Sequence, residues 1–520
     1  MTAGTATPYR AGQQPGPERF GHVLRAEWTK FRTVRGWVAG VLISALVMIL
    51  LGLFASGSVN IACNNGPGTP THTGRACLPR IPTGPGGEAV TDSFYFVHRP
   101  LAGDGSITVR VTSLSGASGV SGVSGAGLQP WSKAGIIIKA SFSAGSAYAA
   151  MMVTGSHGVR MQWDYTGDAA GLGGAVSAVS PRWLRLTRSG DTITGYDSPD
   201  GAHWIFVARA SLTGLPATVP AGLFAASPAQ VSTTSQSAGS GSGSGGPTEA
   251  TAAFDGVTLR GAAGAWTGTA VGSPGVSLPG FRPAGGALVV SGSGDIAPVP
   301  ASGEGSVANT LVGAFAGLIA IVVVAAMFIT AEFRRGLIRV TLTASPRRSR
   351  ILAAKAIVVG SFSFAVGLAA AFAAMQIEEP LARSRGIFID PVPALTEVRV
   401  VAGTAALLAV AAVLALALGA ALRRSAVAVT AAIAVIVLPY FFAEPLALLP
   451  AGAADWLLRV TPAAGFAIQQ PYPAYPQVNF GYTPGNGYYP LAPWAGFAVL
   501  CAWTAAALGL ATYRLCRSDA

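Results

Sequence analysis

The sequence predicts an α-helical membrane protein with six transmembrane helices and an all-β domain inserted between the first and second helices. Of the 520 residues, 51% are hydrophobic and only 11% are charged, whereas soluble proteins carry about 25% charged residues. The mean hydropathy is +0.50. Six apolar runs reach the ~20 residues needed to cross a bilayer. Residues 56–305 instead carry short strand-like runs separated by turn signals.

The six predicted spans share a length near that of a bilayer crossing and little internal charge. They are Gly36–Ala55, Val307–Ala331, Ala356–Gln376, Val400–Leu422, Ser425–Leu449 and Leu491–Tyr513. A buried core helix is the alternative interpretation of any single run. Six such runs in one chain favour membrane spans.

Lys and Arg residues predict the orientation, because they accumulate in cytoplasmic loops. They cluster in the N-terminal tail, between the second and third spans, at Arg423 and Arg424, and at the C-terminus. The cluster between the second and third spans comprises Arg334, Arg335, Arg339, Arg347, Arg348, Arg350 and Lys355. We therefore expect both termini in the cytoplasm, and residues 56–305 and the loop 450–490 outside the plasma membrane.

The net charge of +12 is explained by this topology, so no nucleic-acid partner is expected. The tail of residues 1–35 is too long for a cleaved signal peptide, which predicts that the first span is retained. Within the tail, apolar residues from Phe20 to Trp37 recur at helical spacing, with Arg25, Glu27 and Lys30 mostly elsewhere. This pattern predicts an amphipathic helix on membrane lipid; a solvated basic tail is the alternative.

The extracellular segment predicts a β-sandwich over residues 88–261. Ser189-Gly190 and Pro199-Asp200-Gly201 predict hairpin turns. Two Ser/Gly-rich tracts, Ser113–Gly127 and Ser232–Gly246, are expected to be flexible loops, and residues 262–305 to be a Gly/Pro-rich return to the membrane. The predicted strands are Ser106–Thr112, Ala134–Lys139, Ala147–Thr154, Val159–Tyr165, Trp183–Thr187, Asp191–Tyr196, Trp204–Ala208, Phe254–Leu259 and Ala287–Ser291.

The four cysteines divide between the two sides of the predicted membrane. Cys63 and Cys77 flank a loop outside the first span. An oxidising environment makes a disulfide between them plausible, and two unrelated thiols are the alternative. Cys501 and Cys516 are expected to be free.

Sequence motifs provide no positive sign of an enzyme. GxxxxGK[ST], HExxH and CxxC are absent, and the five histidines lie at spacings that form no metal pair. We therefore expect no ATP hydrolysis by this chain, no metal and no cofactor.

Two polar stretches of the β domain are open to a functional interpretation. Ser198–Trp204 (SPDGAHW) is favoured as a turn that Asp200 caps over a tryptophan. Another group could form a glycan face, since aromatic rings stack on sugars, but a strand face packed in the core is equally compatible with its aromatic residues. This group comprises His157, Trp163, Asp164 and Tyr165.

The loop of residues 332–355 predicts a cytoplasmic helical hairpin with basic tips. Glu332 ends the second span, and Ser345-Pro346 is a typical helix start. Arg335 lies three residues after Glu332, within reach of an ion pair. A partner without its own membrane anchor could dock on this hairpin.

HVLRAEWTKFRTVRGW, ITAEFRRGLIRVTLTASPRRSRILAAK and DWLLRVTPAAGFAIQQ resemble permease subunits of actinobacterial type-2 ABC transporters. The resemblance covers residues ~20–57 and ~307–515. It implies a separate ATPase subunit and a homodimer or second permease subunit. It also implies coupling to the ATPase through an acidic residue, basic residues and a glycine, which are here Glu332, Phe333, Arg334, Arg335 and Gly336.

The insert resembles a concanavalin-A-like jelly roll of the type related to yeast enolase-regulation proteins. The resemblance rests on DSFYFVHRPLAGDGSITVRVTS, WSKAGIIIKA and RLTRSGDTITGYDSPDGAHW, among others. It implies a fold and, in some members, glycan binding. The expected function is that of a permease subunit of an exporter. A membrane-anchored glycan-binding surface protein is the alternative, and drug, peptide, lipid or polysaccharide precursor remain open as substrates.

Overall fold

Long apolar helices and one large antiparallel β sheet dominate the computed structural model. It describes residues 20–57, 62–63, 72–73, 81–118, 127–236, 240–262, 264–272, 280–300, 311, 313–334, 336, 347–384, 389–443, 451–478 and 482–517. Within these ranges six helices are long and apolar enough to cross a membrane. The predicted combination of six such helices with a β domain is therefore confirmed.

In chain order, two helices precede the β strands and the others follow them. The helices are α1 Phe20–Thr33, α2 Arg35–Gly57, α3 Ala314–Arg334, α4 Arg348–Ser384, α5 Ala394–Leu422, α6 Ser425–Ile436, α7 Leu438–Ala443, α8 Ala451–Val460 and α9 Pro493–Arg517. The six candidate spans are α2, α3, α4, α5, the α6–α7 pair and α9.

The helix ends differ from the predicted spans because hydropathy marks apolar stretches and not hydrogen bonding. α4 extends well beyond the predicted Ala356–Gln376 at both ends and contains Pro380. The fifth predicted span is divided at Val437, where Pro439 follows two residues later. Proline lacks the backbone N–H that a continuous helix needs, which accounts for the break.

The segment predicted as the loop 450–490 contains buried structure. α8 is followed by a 3₁₀ helix, Pro462–Gln469, in which every residue is buried. Phe466 stacks on Phe315 of α3 at 4.5 Å between ring centroids. The Gln469 amide donates to Thr404 Oγ1 of α5 at 3.1 Å. This part of the loop therefore belongs to the helical core.

The β domain is built around one 13-stranded sheet whose central order is β11-β10-β9-β4-β12-β5-β6-β7-β8. The strands are β1 Ala62–Cys63, β2 His72–Thr73, β3 Val90–Asp92, β4 Phe94–Ser118, β5 Lys133–Lys139, β6 Tyr148–Thr154, β7 Val159–Trp163, β8 Gly167–Ala170, β9 Arg182–Ser189, β10 Thr192–Ser198, β11 Ile205–Ser211, β12 Thr218–Ala226, β13 Gln230–Gln236, β14 Ser240–Gly246, β15 Thr248–Ala262, β16 Thr267–Val271, β17 Gly280–Ala284, β18 Ala287–Gly292 and β19 Ile296–Pro298.

β4 holds the two parts of this sheet together. Its 25 residues pair with β9, β12, β15 and β16, always antiparallel. Alternate residues of β5 face opposite sides, as the pleat requires. Ile136 and Ile138 enter a large core with Leu184 and Leu223, whereas Ile137 enters a second core beneath β3 and β19. Burial on both faces gives β5 its continuous apolar run.

The predicted strands and both hairpin turns are confirmed, but composition underestimates the strand content of three segments. Residues 119–126 of the first Ser/Gly tract and residues 301–305 lie outside the described residues, so the expectations for them stay predictions. β4 continues through Ser118 into the first Ser/Gly tract, and β13 and β14 pair within the second. Residues 262–305 contain β16 to β19, which pair with β4, β15 or β3. Gly, Ser and Pro have low strand propensity, but here backbone pairing with neighbouring strands outweighs that low propensity.

The β domain rests on loops of the helical part. The backbone N–H of Ala89 donates to Asp390 Oδ1 in the α4–α5 loop at 3.1 Å. The side-chain amide of Gln477, after the 3₁₀ helix, donates to the carbonyl oxygen of Tyr165 at 3.1 Å. The Tyr472 hydroxyl donates to the Asp390 carbonyl at 2.7 Å and joins the two loops.

Candidate functional site

A buried cluster of charges lies where α1, α3 and α4 meet. The Lys355 ammonium of α4 donates to Glu27 Oε2 of α1 at 2.6 Å and to Glu332 Oε1 of α3 at 2.7 Å. The Lys355 side chain is 0% exposed and that of Glu27 is 2% exposed. One ammonium thus joins α1 to the consecutive helices α3 and α4, which lie far from it in the sequence.

Lys30 adds a second cation to this cluster. Its Nζ lies 2.7 Å from Glu27 Oε1 and 3.5 Å from Glu332 Oε1. Burial lowers the pKa of Lys30, but the hydrogen bond and charge of Glu27, aided by Glu332, outweigh burial and raise the pKa overall. Two carboxylates therefore alternate with two ammonium groups, and the cluster has no net charge.

Aromatic rings cover the Lys355 side of the cluster, whereas the Lys30 side chain remains 41% exposed. Lys355 Nζ lies 4.5 Å from the centroid of the Phe328 ring, a favourable cation–π distance. Phe31 of α1 packs edge-on against Phe328 and Phe362, at centroid distances of 5.3 and 5.2 Å. Removing one member of such a buried pair leaves an uncompensated charge in an apolar site.

Glu332 retains one unused acceptor. Its Oε1 is shared by Lys355 and Lys30, but its buried Oε2 has no hydrogen-bond partner among the described residues. The predicted partner Arg335 lies outside the described residues, as do Ser345 and Pro346, so that pair and the predicted helix start stay predictions.

The other predicted coupling residues face in different directions. Phe333 packs against the helical core, and the Arg423 guanidinium lies 5.5 Å from its ring centroid. Arg334 is exposed at the end of α3. Gly336 is exposed and has a φ of +66°, which a side chain would disfavour. Glu332 therefore faces the protein interior, while Arg334 is available to a partner.

Sequence reasoning placed Glu27 away from the apolar stripe of α1, and this was wrong. Glu27 follows Val23 by four residues and precedes Phe31 by four, and all three are buried on one face. A carboxylate in an apolar stripe was the available signal for a buried ion pair. The sequence also groups Lys355 with the cations of the loop between the second and third spans. This prediction is wrong, because Lys355 is buried among helices.

The four residues proposed as a glycan face do not form a common open surface. Trp163 and His157 lie at opposite ends of β7, and the His157 ring stacks on Trp131 at 3.8 Å. Tyr165 is 1% exposed and belongs to the second β core. Asp164 accepts the backbone N–H of Tyr148 at 3.2 Å. Tyr165 therefore offers no ring face to a sugar.

Tyr165 instead serves an internal polar network. Its hydroxyl donates to Asp92 Oδ2 at 2.7 Å, and the Lys139 ammonium donates to the same oxygen at 2.7 Å. Burial raises the pKa of Tyr165 strongly, and the Asp92 charge adds to the effect. Burial lowers the pKa of Lys139, against the opposing effect of Asp92. These contacts fix β3, β5 and the β7–β8 turn.

The Ser198–Trp204 turn has the predicted structural form. Asp200 Oδ1 accepts the backbone N–H groups of Ala202 and His203 at 2.9 and 2.8 Å. The tryptophan next to Gly201 is Trp183 of β9, whereas Trp204 receives the Arg185 guanidinium at 3.7 Å from its ring centroid. The turn is thus explained by capping and packing.

Cys501 and Cys516 are free, as expected. Cys63 lies in β1, but Cys77 lies outside the described residues, so their disulfide stays a prediction. No group of His, Cys, Asp and Glu that could hold a metal ion occurs within the described ranges.

Comparisons with known proteins do not identify a family. No family model and no curated protein matches the chain. Parts of the chain are similar to a functionally unknown protein from Saccharomyces cerevisiae, with 17% identity over 33% of this chain and 77% of that one and a TM-score of 0.21.

Two further solved structures show similarly low scores. One is a GH43 protein from Bacillus licheniformis, with 17% identity over 24% of each chain and a TM-score of 0.16. The other is scytalido-glutamic peptidase, with 10% identity over 40% of this chain and all of that one and a TM-score of 0.24. Values this low identify neither a shared activity nor a shared family.

Proposed function

We propose that this chain is the permease subunit of an ATP-driven exporter in the plasma membrane, working with a separate ATPase subunit and with a second permease copy or subunit. The observation that carries the proposal is the Lys355 bridge between Glu27 and Glu332. A bridge at one end of α3 makes α1, α3 and α4 move as one body, because separating them would leave buried charges unpaired.

The docking surface for the ATPase is the exposed part of residues 332–355, which begins at Arg334 and connects α3 to α4. Arg334 is exposed at its start, and an arginine can form paired hydrogen bonds with carboxylates of a partner. A force applied to this loop passes into α3 through Glu332 and into α1 and α4 through Lys355. The six apolar helices supply the membrane path, while the β domain stands at the opposite, extracellular side in this topology.

The alternative, a glycan-binding surface protein anchored by its helices, has less support. Its four candidate residues share no open face, and an anchor requires one span. A charged cluster that connects three helices has no part in simple anchoring.

Co-purification with the candidate ATPase and its ATP hydrolysis test the proposal. Glu332→Ala and Arg334→Ala are expected to insert normally and to abolish stimulation of ATP hydrolysis by the permease. Arg334→Ala leaves the buried cluster intact, so its effect reports docking alone. Arg383→Ala, which alters an exposed arginine at the other end of α4, is the matched control. Wild-type stimulation in both variants would refute the coupling role.

A further inference from the structure

An apolar groove opens between α4, α5, the 3₁₀ helix and α9. Its volume is about 390 Å³, and its walls include Phe364, Ala402, Ala406, Ile468 and Phe497. This volume falls within the roughly 300–1,000 Å³ typical of ligand pockets. The side chains in these walls are apolar and would pack favourably against a hydrocarbon chain.

One cation lines the groove. Among the described residues of its walls, Arg399, on the second turn of α5, is the only charged one. Its Nη2 donates to the carbonyl oxygen of Gln470 at 2.5 Å. Its buried Nε has no acceptor, and Arg399 forms no ion pair within the described parts of the chain. Among the described residues, the guanidinium is therefore held in place by the Gln470 carbonyl and has no carboxylate counter-ion.

The residues around Arg399 have the composition of a membrane boundary. Leu395 is 85% exposed and Trp494, at the start of α9, is 64% exposed. Exposed tryptophans gather at the level of lipid headgroups, and the apolar face below them meets acyl chains. Cations in such segments usually have an anionic partner. In the proposed topology this boundary belongs to the outer leaflet.

From this arrangement we infer that the groove binds one anionic glycerophospholipid, with an acyl chain between α4, α5 and α9 and the phosphate on Arg399. The 3₁₀ helix lies in the same wall and is joined to Arg399 through Gln470. Lipid bound there contacts the part of the outer loop that is buried in the helical core. This inference rests on the membrane-spanning assignment in the proposed function, but not on coupling to an ATPase.

Lipid binding to the purified full-length chain in detergent tests the inference. Native mass spectrometry would compare dioleoyl-phosphatidylglycerol, dioleoyl-phosphatidylcholine and soluble glycerol 1-phosphate. Both lipids offer a phosphate to Arg399, but the choline ammonium of the zwitterionic lipid adds a second positive charge near the guanidinium. We therefore expect the anionic lipid to bind severalfold more tightly. Glycerol 1-phosphate should compete poorly, because it lacks the acyl chain. Equal competition would overturn the lipid assignment in favour of a free-anion site.

Substitutions of Arg399 test the charged half of the site. Arg399→Gln should abolish the preference for the anionic lipid, and Arg399→Lys should retain part of it. Arg383→Gln, an exposed arginine paired with Glu379, should leave the preference unchanged. If Arg399→Gln and Arg383→Gln behave alike, the lipids are merely annular and the inference fails.

Ala406→Leu tests the apolar half while Arg399 remains. It should weaken phosphatidylglycerol binding severalfold by filling the groove, whereas Ala506→Leu, at an exposed position of α9, should not. Unchanged binding to Ala406→Leu would contradict occupancy of the groove. These measurements use neither ATPase nor transport, so a failure of coupling and a failure of lipid binding are distinguishable.

Discussion

Lys355 and Glu27 are 328 residues apart in the chain, yet the ammonium nitrogen of one lies 2.6 Å from a carboxylate oxygen of the other. The contact joins α1, which precedes the whole β domain, to α4, which follows it. Both side chains are almost completely buried. The helical part is therefore assembled from segments on both sides of the β domain.

Replacing Lys355 by Met should destabilise the protein by roughly 3–5 kcal/mol, because it removes the buried cation between Glu27 and Glu332 and leaves them only the partly exposed Lys30. Thermal unfolding in detergent measures the change. The double variant Glu27→Gln/Lys355→Met should recover part of the loss, since the two effects share one interaction. Arg334→Met, at an exposed position, should change stability little. Strictly additive effects of the two substitutions would exclude a direct interaction.

The proposed topology predicts opposite labelling at two introduced cysteines. In a chain whose native cysteines have been replaced, Ser240→Cys should react with a membrane-impermeant maleimide on intact cells. Ser349→Cys, in the first turn of α4, should react only after permeabilisation, because the surrounding Lys and Arg residues favour the cytoplasmic side. Labelling in the reverse order would invert the whole assignment.

If Cys63 and Cys77 form a disulfide, a thiol reagent applied from the outer face should modify neither of them in unreduced protein. Closing a loop of this length contributes roughly 3 kcal/mol in the chain-entropy model. Mass spectrometry without reduction should find the two cysteines in one cross-linked peptide. Cys516, which is free and exposed, provides the internal control for alkylation. Two alkylated thiols at positions 63 and 77 would reject the bridge.

The isolated β domain should require residues 81–300 and not the shorter 88–261. The longer fragment includes β16 to β19, which carry Val271, Val290 and Ile296 of the two cores. We expect it to be soluble, to show a β-rich circular dichroism spectrum and to unfold cooperatively. The shorter fragment should be less stable, because it exposes these core faces. Equal stability of the two fragments would show that β16 to β19 are dispensable.

The contact between the β domain and the helical part should weaken as the pH rises. Burial raises the pKa values of Glu88, Asp164 and Asp390, and the charges of Asp164 and Asp390 raise that of Glu88 further. A carboxyl whose pKa is raised in the folded state stabilises that state fully below its ordinary pKa. This stabilisation is lost as the pH rises through the raised value.

The melting temperature of the full chain should therefore fall as the pH rises above about 4, the ordinary pKa of these carboxyls. Asp390→Asn keeps an acceptor for Ala89 but removes the charge, so it should flatten the fall and raise stability near neutral pH. Asp455→Asn, at an exposed position of α8, is the control. A steeper fall in Asp390→Asn would contradict this assignment.

The periodicity of the sequence predicted the helices and many strands because each depends on local features. Apolar length marks α2, α3 and α5, and alternation with Gly turns marks β9 and β10. Composition failed where pairing partners decide the structure. β13 and β14 form in a Ser/Gly tract, and β12 lies at the centre of the sheet although its sequence TVPAGLFAA carries only a weak strand pattern.

The charged cluster depends on both levels of structure. The sequence by itself selected Glu332 at the end of an apolar run and placed Arg334 after it. Only the tertiary structure brought Glu27 and Lys355 to Glu332 and placed Arg399 in the wall of an apolar groove. The physical reason is that buried charges are stabilised by partners across space. No periodicity along the chain specifies which distant residue supplies the opposite charge.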